Sequence, residues 1–343
     1  MRVLFDIVHP ADVLFFYNTI RALEERGDEY LILSRHKDVT CVLLDQFGLA
    51  HKVVSTAGKG TLKLGAELIK RDFAVLREAK RFKPHVMIGF GGVAISHVGK
   101  ILGIPSVSFY AADTATLQNS ITWPFISHLY VPEPYAAKTP KGRTTRFKGL
   151  KERSYFHPDS FVVDESKALK NGWMPGVDNF FIRAVMWRAN HDIGKSGWSD
   201  ETFITLIKKL ETRGQVHISS ERPLPAALRY RRYQGKKTEV HHLMAKCKLY
   251  VGESATMAQE AAFLGTQAIY DGHDIPGTTQ SILDAGLVSM PSEKTDKALF
   301  ELIDELLDAE VSIFQDKHEA YMAEYPNMTG DILNALERHA KVI

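Results

Sequence analysis

Several short constellations in this 343-residue chain hold residue types that could do chemistry. The first is Val8-His9-Pro10-Ala11-Asp12, directly after an apolar run. Either the His9 imidazole or the Asp12 carboxylate could take a proton from a hydroxyl. Asp12 also reads as the N-cap of a helix beginning at Val13, and His9 as a hydrogen-bonding residue of a Pro turn. The second constellation is Gly252-Glu253-Ser254-Ala255-Thr256, a small-residue turn between the apolar Leu249–Val251 and a helical stretch from Met257 to Leu264. First-turn N–H groups there, aided by the helix dipole, suit a diphosphate. Glu260, about one turn further on, is placed to accept from ribose hydroxyls, or to face solvent on a capped amphipathic helix.

Other residues gather around these two. Arg183 interrupts the apolar FFIRAV, which requires either a donor phosphate or a structural carboxylate partner. Ser219-Ser220-Glu221 ends another strand-like run, where base or phosphate contacts are open to it. Asn190-His191-Asp192 reads as a polar loop, with no third residue to complete a metal site. Gly89-Phe90-Gly91-Gly92 offers bare backbone to a substrate, or is simply a tight strand–helix turn. No Asp-x-Asp pair and no Walker A sequence occur, and the first strand's turn lacks the glycines of a dinucleotide fold. The chemistry expected is therefore metal-independent, and no cofactor is predicted.

The elements that must position these residues alternate. Arg2–Val8, Tyr30–Ser34, His51–Ser55, Val86–Gly89 and Ser106–Tyr110 read as strands. Val13–Arg26, Val39–Phe47, Lys63–Phe82 and Val93–Leu102 read as the helices between them. A second series follows: strands Phe180–Trp187, Gln215–Ser219, Leu249–Val251 and Gln267–Tyr270, with helices over Asp200–Thr212, Val240–Ala245, Thr256–Leu264 and Thr279–Ala285. Alternation of this kind predicts parallel sheets covered by helices on both faces.

Composition sets the limits. With 43 Lys and Arg against 41 Asp and Glu, the net charge of +2 gives no reason to expect a nucleic-acid binder. Two distant cysteines, Cys41 and Cys247, exclude a disulfide scaffold and a Cys-based zinc site. No membrane-spanning run or signal layout is present, which predicts a cytoplasmic protein. Residues 59–83 mix Lys63, Lys70, Arg77 and Lys80 with Leu68, Ile69 and Phe73. That segment is either a solvated helix over the sheet or a peripheral contact with the inner membrane face.

The turn Ser254-Ala255-Thr256 with Gln259-Glu260-Ala261 resembles the donor-nucleotide motif of GT-B glycosyltransferases and the related UDP-N-acetylglucosamine 2-epimerases. It departs from them in lacking both glycines of their Ser-Gly-Gly turn. The run His241–Ala245, just after Val240, resembles the His-x-x-x-Ala helix before this strand in peptidoglycan-type N-acetylglucosaminyltransferases. Gly277-Thr278-Thr279-Gln280 is similar to their sugar-contacting segment, and Pro84–Gly92 with Gly103-Ile104-Pro105 to a run in their first domain. Asp6–Phe16 and Lys148–Tyr155 are similar to the marks of a GT-B branch known mainly as a domain of unknown function.

The resemblance implies a GT-B α/β fold, with two Rossmann-like domains facing across a cleft: 1–150 on the acceptor side, a linker 151–178, a donor domain 179–328, and 329–343 returning to the first domain as a helix. It implies transfer of a sugar from a nucleotide-linked donor, UDP by preference, to a surface-glycan or lipid-linked acceptor. Asp12 or His9 would be the base. Arg183, Ser219, Ser220, Glu221, Val240, His241, Ser254, Ala255, Thr256, Met257, Glu260, Thr279 and Gln280 would hold the donor, and Gly89, Gly91 and Gly92 would line the acceptor side. The alternatives are a nucleotide-sugar 2-epimerase and a non-catalytic binder of nucleotide sugars or glycans.

Overall fold

The computed structural model describes residues 1–37, 39–58, 61–186 and 197–340; Asn190-His191-Asp192 lies outside them. The chain divides into two compact units, 1–160 with 327–343, and 161–326. The stretch expected as a linker, 151–178, is split between them after Ser160. It carries a short 3-10 turn over Lys151–Ser154 and a helix, α6, over Glu165–Lys170.

The first unit is built on β1 (Arg2–Ile7), β2 (Glu29–His36), β3 (His51–Thr56), β4 (Val86–Phe90), β5 (Ser106–Phe109), β6 (His128–Pro132) and β7 (Thr144–Phe147). They form one parallel sheet in the order β3-β2-β1-β4-β5-β6-β7. Between them run α1 (Pro10–Glu25), α2 (Thr40–Gln46), α3 (Thr61–Phe82), α4 (Val93–Leu102) and α5 (Thr116–Thr122). The period of two along β1 sorts the layers. Val3, Phe5 and Ile7 pack with α1, α2 and the late helix α13 (Thr329–His339). Leu4 points the other way, against Val75 and Ala79 of α3 and Ile95 and Val98 of α4. With both faces covered, the central strands need apolar residues almost throughout, which is why β1 and β4 read as runs rather than alternations. Helix α3 stops because Lys83 turns to φ 52° ahead of Pro84.

The second unit holds β8 (Asp178–Ala184), β9 (Gly214–Ser220), β10 (Leu249–Gly252), β11 (Gln267–Tyr270) and β12 (Val288–Ser289), parallel in the order β12-β11-β10-β8-β9. Its helices are α7 (Asp200–Glu211), α8 (Val240–Met244), α9 (Ala255–Phe263), α10 (Gly277–Asp284), α11 (Asp296–Asp308) and α12 (Val311–Glu324). Elements α5, β6, β7, α6, β12, α11 and α12 extend the series beyond those expected from sequence. No described helix is long and apolar enough to cross a membrane.

Candidate functional site

In an open parallel sheet, ligands bind beyond the carboxyl ends of the strands at the point where strand order reverses. In the first unit that point lies between β1 and β4. The loops leaving these two strands are Val8–His9 and Gly91–Gly92, both picked out from the sequence.

The first loop starts its helix earlier than expected. Helix α1 begins at Pro10, with His9 as N-cap, so Asp12 is the third helical residue and not the cap. Proline at the first helical position fixes the start, because its missing N–H would be unpaired there anyway. His9 Nδ1 accepts from the Ala11 N–H at 3.3 Å, and one Asp12 oxygen, Oδ2, accepts from the Val8 and His9 amides at 3.0 and 2.9 Å. The two side chains form a reciprocal capping box. His9 is exposed and Asp12 is buried, 3% accessible. Burial pushes the Asp12 carboxyl up to about 7; the two amides and Lys37 pull the other way, and Asp6 adds to the rise. A carboxyl poised there can exchange a proton near neutrality.

The second loop has tight backbone requirements. Gly91 and Gly92 adopt φ 86° and 62°, and Gly92 caps α4 without a side chain. A Cβ at Gly91 would run into the Gln118 amide and approach the Tyr110 ring to 3.1 Å. Gly89 lies against the Asp6 carbonyl, where an added Cβ would come to 3.2 Å. These glycines therefore serve the turn as well as any ligand.

Between the two loops lies a cavity of about 130 Å³ whose charged lining the sequence reading did not single out. Asp6 is paired with Arg71, Arg35 grips Glu67 with two 2.6 Å hydrogen bonds, and Gln118 closes one side. Ser55 donates to Glu67 and accepts from Arg71, at 3.1 and 2.9 Å. The signal was present: Asp6 is an acid inside a buried strand, and such a group needs a partner.

In the second unit the order reverses between β10 and β8. Ser254 is the N-cap of α9, its Oγ accepting from Met257 N at 3.3 Å, so the helix begins at Ala255 rather than Thr256. Helix geometry gives the Ala255 and Thr256 amides no intrahelical acceptor. Glu260 is buried rather than facing solvent, and its Oε2 lies 3.1 Å from Nε2 of His241 on α8. Val240 begins α8. Gln259 donates to the buried Thr279 at 3.0 Å, tying α9 to α10, whereas Gln280 is exposed and donates to Asp284.

Arg183 is held by carboxylate and hydroxyl partners. It pairs with Glu221 through Nη2 and donates to Ser219 Oγ at 2.7 Å. Ser220 turns to the Arg222 carbonyl at 2.7 Å. Glu253, read from sequence only as part of the small-residue turn, is buried and accepts from the Val185 and Trp198 amides at 2.9 and 2.8 Å.

Residues 1–170 match the family described as a protein of unknown function (DUF354). No curated protein matches the chain. Among solved structures, it is similar to UDP-GlcNAc 2-epimerase from Neisseria meningitidis bound to UDP-GlcNAc, at 12% identity and TM-score 0.69, covering 98% of this chain and 100% of that one. The epimerase from Methanocaldococcus jannaschii in complex with UDP-GlcNAc and UDP gives 14% identity and TM-score 0.64, over 91% and 94%. The spinosyn rhamnosyltransferase SpnG gives 12% and 0.66, over 98% and 100%. The chain therefore has the GT-B fold of these enzymes, and its N-terminal half, residues 1–170, carries the DUF354 match.

Proposed function

We propose that this chain is a metal-independent glycosyltransferase that moves a sugar from a nucleotide-linked donor, UDP by preference, to a glycan or lipid-linked acceptor. The observation that carries the reading is Asp12: a buried carboxyl held at about 7, at the strand-order reversal of the first unit, a short run along the chain from the cavity that Asp6, Val8, Arg71 and Gly92 line. It would take the proton of the acceptor hydroxyl as that oxygen attacks the anomeric carbon. The bond from that carbon to the diphosphate breaks, and its electron pair leaves with the nucleotide.

The donor would sit on the second unit. The Ala255 and Thr256 amides and the α9 dipole would meet the diphosphate. Glu260, steadied by His241, would accept from the ribose hydroxyls. Arg183 would reach the donor by exchanging Glu221, an exposed partner, for a phosphate. Support for a nucleotide donor comes from the fold neighbours, whose structures hold UDP-GlcNAc, UDP or thymidine diphosphate.

A second reading, 2-epimerisation of a nucleotide sugar, is favoured by the epimerases among those neighbours. Thermal unfolding across a panel of nucleotides and nucleotide sugars tests the shared part, because a ligand of the native state raises the apparent Tm. NMR of the sugar that shifts Tm then separates the two readings. An epimerase equilibrates C2 without an acceptor, and a transferase releases nucleotide only when one is supplied. No shift with any member would overturn both.

A further inference from the structure

We infer that the outer face of the α3–α4–α5 layer of the first unit is a docking surface for an anionic phospholipid membrane. Asp72 of α3, His97 of α4 and the Ile121 carbonyl of α5 are joined through the two His97 nitrogens, at 2.8 and 2.9 Å. The ring of Phe125, just beyond α5, stands edge-on to the same imidazole, centroids 5.2 Å apart. The three helices thus present one continuous layer.

Its outer side is apolar where water would be expected. Phe73 and Ile101 are each 68% exposed and Leu117 75%, with Ile69 and Phe125 also open to solvent. Ile69 and Phe73 are one turn apart on α3, and Ile101 lies one turn beyond His97 on α4. On the opposite layer, α1 and α13 show no large exposed apolar side chain among the described residues, and α2 shows Val42. The exposed apolar groups are concentrated, and concentration of this kind marks an interaction site.

Charge selects the partner. Lys70, Arg77, Lys80, Arg81 and Lys100 are exposed around the apolar residues. The layer's three acids are all engaged: Glu67 by Arg35, Asp72 by His97, and Glu78 by Lys52 and Arg77. An apolar centre with a cationic rim and no exposed acid matches the acyl boundary and negative headgroups of an acidic bilayer. The surface is wider than the single basic stretch, 59–83, that the sequence suggested, because α4 and α5 supply part of its apolar centre.

The test is co-sedimentation of the full chain with phosphatidylcholine vesicles, with and without phosphatidylglycerol, in low and high salt. Binding should require phosphatidylglycerol and weaken with salt. The double variant Lys70→Ala/Lys80→Ala should lower partitioning about 25-fold, at about fivefold for each cation. Phe73→Ser/Ile101→Ser should abolish pelleting while leaving the melting temperature unchanged, since both side chains are already in water. No pelleting of the native chain with phosphatidylglycerol vesicles, or equal pelleting with neutral ones, would overturn the proposal. A dimer in analytical ultracentrifugation that Phe73→Ser/Ile101→Ser dissociates, without vesicle binding, would overturn it in favour of a second copy. Vesicle binding needs no nucleotide, so this result stands apart from the donor reading.

Discussion

Replacing Asp12 by Asn separates its structural role from its chemical one. Both amides it receives, from Val8 and His9, converge on a single oxygen. An Asn carbonyl can accept both, so the capping box survives the change. What disappears is the buried charge. Holding the carboxyl at about 7 instead of its ordinary 3.8 means that ionising it in the folded chain costs about 4 kcal/mol more than in the unfolded one. Between those two values the unfolded chain has lost its proton and the native chain still keeps it. Stability from this group therefore falls as pH rises from about 4 to about 7, and is level above that. The Asn variant escapes the fall. Relative to the native chain it should gain up to about 4 kcal/mol at pH 8 over its difference at pH 4. Urea unfolding across that range, with hydrogen exchange along α1 to assign the change to the first unit, measures the difference. Turnover should meanwhile drop by roughly a hundredfold or more, through loss of the proton acceptor. A stability difference that does not vary with pH would show that the carboxyl is not displaced. Near-normal turnover would pass the base role to His9.

Three further outcomes follow from single side chains. Glu260→Gln keeps a partner for His241 and should leave the melting temperature nearly unchanged, while nucleotide affinity in calorimetry falls by roughly 1–3 kcal/mol through loss of charge-assisted hydrogen bonds to the ribose; unaltered affinity removes Glu260 from the donor site. His217 is buried beside Asn179, 3.1 Å from its Oδ1, and burial with help from Arg231 holds its imidazole down at about 4. The native chain should then lose up to about 3 kcal/mol as pH falls from 6.5 to 4, where only the unfolded chain takes the proton, and His217→Gln should remove that loss in acid unfolding curves. Gly91→Ala should cost about 2–4 kcal/mol in chemical unfolding, because φ 86° disfavours any Cβ and Gln118 and Tyr110 occupy its space; a silent substitution would show that the loop can relax.

The strand–helix alternation was legible because doubly covered parallel strands must be apolar through their middles, as Val3–Phe5 of β1, Val86–Ile88 of β4 and Phe180–Ile182 of β8 are. The same rule hid β7, TTRF, an edge strand of the first sheet with only Phe147 buried. Helix α11 could have been found, since Leu299, Ile303 and Leu307 recur every four residues and are its buried stripe. The start of α1 was misplaced because Asp outranks His as an N-cap, whereas Pro10 marked the first turn more strongly. Spacing could not reveal that Glu260 meets His241, since the two lie on separate helices, 19 residues apart.

The charged residues near the carboxyl ends of β1 and β8 follow one pattern. Asp6 and Arg183 are each the penultimate residue of the strand at which their sheet reverses order, β1 and β8. Deep in either strand a charge would face helices on both sides and no water. At the carboxyl end the covering helices have not yet begun, and a polar partner can enter from a neighbouring element. Asp6 finds Arg71 on α3, and Arg183 finds Glu221 just past β9. A lone charge in an apolar run thus predicts a partner, and its place near the run's end predicts that the pair borders the strand-order reversal. The two pairs differ in what a ligand could do to them. Arg71–Asp6 is buried, so removing either member strands the other at a cost of about 3–5 kcal/mol. Glu221 is half-exposed and can return to water, which makes Arg183 the cation that an incoming anion can claim without that cost.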